Sequence, residues 1–171
     1  MSALRSKPFP FPSRIGLIAA LASTALIAGA LYFQYVVGLP PCDLCHWQRY
    51  PHFASIALGF AAIASLKLPR LAYVFALAAI AALFVTAGIG VFHVGVEQHW
   101  WQGPQACSGQ IPSGLSPAEL KKYLFSAKMV RCDQAAWSMW DISMAGWNAI
   151  LSGSVAMLLS LSVGRHLKEH P

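Results

Sequence analysis

The sequence predicts an all-α membrane protein: a bundle of four transmembrane helices with a short amphipathic surface helix in its second outward loop. Three observations carry that prediction. Of 171 residues, 57% are hydrophobic and only 11% are charged, where soluble domains carry roughly 25% charged residues. The apolar residues gather into four long runs. The basic residues crowd the segments on one side of those runs. One integral membrane domain, residues 1–171, accounts for all three.

The first run, Ile15–Val37, is unbroken by any charge. It exceeds the about 20 residues that a helix needs to span ~30 Å of hydrocarbon at ~1.5 Å per residue. Arg5, Lys7 and Arg14 ahead of it, and Ala28-Gly29-Ala30 inside it, imitate a secretory signal, but the run continues too far for a signal core. A retained helix is expected. The second run, His52–Leu66, is the shortest. With Tyr50 and Pro51 it reaches the lower limit of a span, and it ends at Lys67, whose stem can snorkel. Leu71–Phe92 and Ile142–Val163 are both long enough to cross unaided. The expected spans are therefore 15–37, 50–66, 71–92 and 142–163, with outward loops 38–49 and 93–141.

The net charge of +6 would suit a nucleic-acid binder if the cations shared a face. They do not. Arg5, Lys7, Arg14, Lys67, Arg70, Arg165 and Lys168 fall on one side of the predicted spans. Arg49, Lys121, Lys122, Lys128 and Arg131 fall on the other, balanced by Asp43, Glu97, Glu119, Asp133 and Asp141. By the positive-inside rule both termini are cytoplasmic and the two longer loops face outward. The charge is topological, and no nucleic-acid partner is expected.

All four cysteines, Cys42, Cys45, Cys107 and Cys132, lie in the outward loops, on the side of a bacterial inner membrane that permits disulfides. Of three possible pairings, topology favours Cys42 with Cys45 and Cys107 with Cys132. As a structural staple the second pair is reasonable. It encloses a long loop, and such a closure stabilises by about 3 kcal/mol in the chain-entropy account. A bond from Cys42 to Cys45 closes almost no loop. Cys-x-x-Cys is instead the spacing of dithiols that open and close. Metal ligation is the competing use of Cys42, Cys45, His46 and His52, completed by His93 or His99. No second Cys-x-x-Cys or His-x3-5-His accompanies them, and no metal is expected.

Pro51 suits the first turn of a helix, so the second helix is expected to begin near Gln48. Cys45 then sits at a helix N-terminus, about one turn from Arg49, and both features favour a thiolate. A dithiol that oxidises other thiols must be reoxidised. No glycine-rich nucleotide fingerprint or iron–sulfur cysteine set is present, and at this depth the abundant two-electron acceptor is a lipid quinone. In the second loop, Ser116, Pro117 and Glu119 form a capping box. Leu120, Tyr123, Leu124 and Ala127 follow at helical spacing. A short amphipathic helix on the membrane surface is expected there.

Four spans, "PCDLCHWQRY" after the first, "FHVGVEQHWWQGP" ending the third and a "C…RCD" pair in the long loop resemble the disulfide bond formation protein B (DsbB) family over nearly the whole chain. That resemblance implies a quinone-dependent membrane thiol oxidase that reoxidises a periplasmic DsbA-like thiol oxidase. It implies that Cys107 forms the mixed disulfide with the partner and that the released Cys132 attacks Cys42. Cys45 then becomes the thiolate facing the quinone (ubiquinone or menaquinone), supported by Arg49. His93 matches the quinone-proximal histidine, with His99 as the rival position. The implied location is the bacterial inner membrane, with the cysteine loops periplasmic. Vitamin K epoxide reductase-like enzymes share the chemistry, but there the quinone-side Cys-x-x-Cys follows the loop pair; here it precedes it. A purely structural scaffold would leave the short Cys42–Cys45 loop unexplained.

Overall fold

The computed structural model describes residues 10–104, 116–119, 121 and 130–170. Four long helices organise them: α1 (Phe11–Tyr35), α2 (Asp43–Ala64), α3 (Pro69–Glu97) and α4 (Met144–Glu169). A two-stranded hairpin, β1 (Ser138–Met139) and β2 (Ile142–Ser143), leads into α4. Prolines open α1 and α3, where the first turn has no use for their missing N–H. By length and composition α1, α3 and α4 can each cross a membrane. The segment expected to be the second span is helical, but α2 carries Asp43, His46, Gln48, Arg49 and His52 in its first half and lacks the apolar length of the other three.

The helix ends all differ from the expected spans, and two of the starts differ for a local reason. Helix α2 starts at Asp43 rather than near Gln48, because the Cys42 side chain caps it by accepting the Cys45 N–H. Pro51 therefore lies inside the helix and not in its first turn. Helix α4 starts at Met144 rather than Ile142. Trp140 and Asp141 have φ of 52° and 59°, the paired left-handed residues of a tight hairpin turn, and Ser138 and Met139 pair with Ser143 and Ile142. Ser143 then caps α4 through its Oγ, which accepts the Gly146 N–H. In the long loop between α3 and the hairpin the capping box is formed: Glu119 accepts from the Ser116 N–H at 2.9 Å and from its hydroxyl at 2.6 Å. Most of the amphipathic helix expected after it, and Cys107, lie outside the described residues.

The helices run alternately up and down. At one end Phe11 of α1 stacks on His166 of α4, ring centroids 3.9 Å apart, and approaches Tyr73 of α3. At the other end Cys42 ahead of α2 meets His93 near the end of α3. Helix α2 packs closely on α1 and α3, and α3 on α4, whereas α1 and α4 touch sparingly. Small residues set the close approaches. A Cβ on Gly16 would stand 2.7 Å from the Ala62 Cβ and 2.9 Å from the Gly59 carbonyl oxygen, the small-residue packing that membrane helices use. The core is made of Ala19, Ala62, Ala76, Ala79, Leu83 and Ala156 with buried serines. The outer surface carries Leu21, Val74, Leu77, Phe84, Leu158 and Leu161. Small inside and large apolar outside reverses the pattern of a soluble bundle; this is a helical membrane protein.

Candidate active site

Cys42 and Cys45 meet at the N-terminus of α2 with their sulfurs 2.8 Å apart. The disulfide expected between them is present in its reduced form, as two free thiols, Cys42 buried and Cys45 half-buried. Cys42 Sγ also accepts the Cys45 backbone N–H at 3.3 Å. One proton held between two sulfurs makes the pair titrate as a unit. The hydrogen bond from Cys42 holds the Cys45 thiol below the ordinary range; burial opposes this, and the Arg49 charge adds to it. The same bond, with burial, pushes Cys42 well above that range. The thiolate of the reduced pair therefore resides on Cys45.

Arg49, one helical turn beyond Cys45, is held by α1: its Nη1 donates to Gln34 Oε1 at 2.6 Å. Cys45 and Arg49 both line a cavity of about 440 Å³ enclosed by α1, α2, α4 and the segment before the hairpin. Its walls are chiefly apolar and include Leu26, Ala30, Phe33, Trp137, Met144 and Leu151. The cavity lies where α1 and α4 make their sparse contact. A flat apolar ring fits such walls, and Arg49 offers donors at one end.

His93 is buried against the dithiol and is not among the residues that line that cavity. Its Nε2 is 3.6 Å from Cys42 Sγ and 3.8 Å from Glu97 Oε1. Its Nδ1 is 2.8 Å from Gln48 Nε2. His99, the rival position, is exposed, with φ of 58°, and stands apart from the sulfurs. His46 is exposed as well. The ligating atoms of Cys42, Cys45 and His93 lie within 4.8 Å of one another, near enough to share a cation, although the sequence argued for none.

Cys132 is fully buried in a cluster with Cys42, Leu44 and Val96, against which Cys45 and Val130 pack. It is disulfide-bonded. Its neighbours Arg131 and Asp133 form a two-pronged ion pair at the surface, which holds the Asp133 carboxyl below its ordinary range. Three of the four cysteines thus converge on one end of the bundle.

Sequence reasoning missed the polar residues behind the dithiol. Gln48, Thr86, Asn148 and His52 are joined by hydrogen bonds across α2, α3 and α4. A signal was present: Asn148 lies inside an apolar run and His52 begins one, and a polar side chain at membrane depth is expensive enough to need a purpose.

The sequence profile of the family described as Disulfide bond formation protein DsbB matches residues 12–162. The chain is 35% identical over 159 residues to Disulfide bond formation protein B of Stutzerimonas stutzeri, covering 86% of this chain and 91% of that protein. It is 32% identical over 167 residues to the protein of the same name from Verminephrobacter eiseniae, covering 92% and 89%. An uncharacterized protein of Rickettsia prowazekii, RP370, is 28% identical over 141 residues, covering 81% and 77%. No solved structure matches the chain. With a profile match over most of its length and two namesake relatives aligned almost end to end, this chain belongs to the DsbB family of disulfide bond formation proteins.

Proposed function

We propose that this protein drives disulfide formation in the periplasm by reoxidising a DsbA-like thiol oxidase and passing the electrons to a membrane quinone. The observation that carries the reading is the wall shared by Cys45 and Arg49: a sulfur whose thiol is held below its ordinary range and a cation face one chiefly apolar cavity. In this reading α2 is the fourth span. The protein lies in the inner membrane with both termini cytoplasmic. Arg14, Lys67, Arg70, Arg165 and Lys168 at one end of the helices support that orientation, and Cys42, Cys45 and Cys132 occupy the opposite end.

The exchange runs through two disulfides. A thiolate of the reduced partner attacks Cys107; the Cys107–Cys132 bond breaks, and its electron pair stays on Cys132. The Cys132 thiolate attacks Cys42; a Cys42–Cys132 bond forms, the Cys42–Cys45 bond breaks, and the pair of electrons stays on Cys45. Burial of Cys132 beside Cys42 favours this step, because exchange rates depend on access as well as on leaving-group pKa. Arg49 stabilises the resulting charge on Cys45 and supplies hydrogen-bond donors at the mouth of the cavity. The partner's second thiolate displaces Cys107 and closes the partner's own disulfide; the freed Cys107 re-forms its bond to Cys132, and Cys42 leaves as a thiolate. A quinone bound in the cavity, ubiquinone or menaquinone, would then accept the two electrons and two protons given up as the Cys42–Cys45 bond closes again. His93, behind Cys42, acts on that site through the sulfur it touches.

The test is quinone reduction by the purified protein, followed by the loss of quinone absorbance. It is expected only in the presence of reduced partner, and Cys42→Ser or Cys45→Ser should abolish it. Wild-type turnover by Cys42→Ser would refute the redox assignment. Cys107→Ala should prevent the mixed disulfide with the partner on a non-reducing gel, and an adduct trapped through Cys42 instead would refute the division of labour.

A further inference from the structure

Behind the dithiol the hydrogen bonds have a direction that can be read. Two backbone carbonyls, which can only accept, fix the amides. The Leu44 carbonyl lies 3.4 Å from Gln48 Nε2, and the Thr86 carbonyl lies 3.4 Å from Asn148 Nδ2. Each of those atoms is therefore an NH2 group. Asn148 Nδ2 donates to Gln48 Oε1 at 2.7 Å, and Gln48 Nε2 donates to His93 Nδ1 at 2.8 Å. An Nδ1 that accepts leaves the proton of neutral His93 on Nε2. That nitrogen faces Cys42 Sγ at 3.6 Å, and the His93 ring hydrogen-bonds the backbone of Cys132. The line extends backwards in the same sense: Ser23 Oγ is 3.2 Å from His52 Nδ1, and His52 Nε2 is 2.9 Å from Asn148 Oδ1. Ser152 also donates to Asn148 Oδ1, at 3.1 Å. Besides the bonds to those two carbonyls, each residue from Ser23 to His93 donates to the next one towards Cys42. Among the described residues no buried side-chain nitrogen or oxygen is left without a partner.

We propose that Gln48 and Asn148 are positioning residues that lock His93 as an Nε2–H donor between the two cysteine loops, holding the Cys132 backbone beside Cys42 and aiming a proton donor at the Cys42 sulfur. The step served is the opening of the Cys42–Cys132 bond. An incoming thiolate bonds to Cys132, the Cys42–Cys132 bond breaks, and the electron pair left on Cys42 Sγ is stabilised by the N–H. With the other tautomer a lone pair would face the sulfur and repel the charge that develops there. The inference rests on the exchange sequence proposed above, but its tests need neither quinone nor partner.

The first test is the nitrogen spectrum of 15N-histidine-labelled full-length protein in lipid nanodiscs, with His93→Gln used to assign the signal. The wild-type His93 should show Nε2 protonated and Nδ1 bare; Gln48→Met and Asn148→Leu should each mix the tautomers. The second uses a Cys45→Ala, Cys107→Ala background, in which the Cys42–Cys132 disulfide is opened by dithiothreitol. Adding Gln48→Met or Asn148→Leu should slow opening by about 10- to 100-fold, the loss expected when one hydrogen bond to a charged group goes. Three results would each overturn the proposal: a wild-type His93 protonated on Nδ1, folded variants that keep the wild-type tautomer, or a changed tautomer with unchanged opening rate. Should a variant fail to fold, the wild-type spectrum still decides. A wild-type spectrum with bare Nδ1 in a protein that reduces no quinone would sink the redox reading alone.

Discussion

At Cys45 three influences on one sulfur can be separated. The hydrogen bond from Cys42 is the largest and burial works against it, while the Arg49 cation assists. Removing Arg49 leaves the first two in place. Arg49→Gln should therefore shift the alkylation profile of the reduced protein to higher pH. The sign follows from the chemistry: a cation favours the thiolate, so its loss means that a more alkaline solution is needed to reach the same reactive fraction. The check is the rate of iodoacetamide modification of Cys45 against pH in a Cys107→Ala, Cys132→Ala background. An unchanged profile would mean that the guanidinium serves only to bind Gln34. Cys42, whose proton is held against its neighbour, should react slowly throughout.

The helices were legible because a run of about 20 uncharged residues has few other uses, and α1, α3 and α4 answer to it. Their ends were less legible. The start of α2 depends on a cysteine acting as cap, a role usually filled by Ser, Thr, Asp or Asn, so the Pro51 signal misplaced it. The hairpin before α4 rests on strands too short for alternation to be read. The candidate site divides in the same way. The Cys-x-x-Cys spacing, Arg49 and His93 declare themselves locally. Gln48 and Asn148 are far apart in the chain and acquire meaning only when α2 and α4 face each other. At this scale the contact between α1 and α2 is the most exacting. Gly16→Leu should force the helices apart and lower stability by about 1–3 kcal/mol, the usual range for overpacking, measured by unfolding in mixed detergent micelles. A variant as stable as wild type would show that α1 can shift without loss.

The whole molecule gathers a polar line, a dithiol and a chiefly apolar cavity at one end of a lipid-facing bundle. Gln48, His52 and Asn148 of the line face the cavity too, so a probe of the cavity alone has to sit on another part of its wall. Gly29 lines the cavity, and a Cβ added there meets nothing within 4 Å. Gly29→Leu should partly fill the space, raise KM for quinone and leave the dithiol's alkylation profile unchanged, as steady-state kinetics with varied quinone would reveal. An unaltered KM would place quinone elsewhere. The slack join between α1 and α4 has a further consequence for such a guest. Were the berth to open to the acyl chains along that join, a head group could lodge within while a long greasy tail trailed outside, and molecules of different tail length would be equally acceptable tenants.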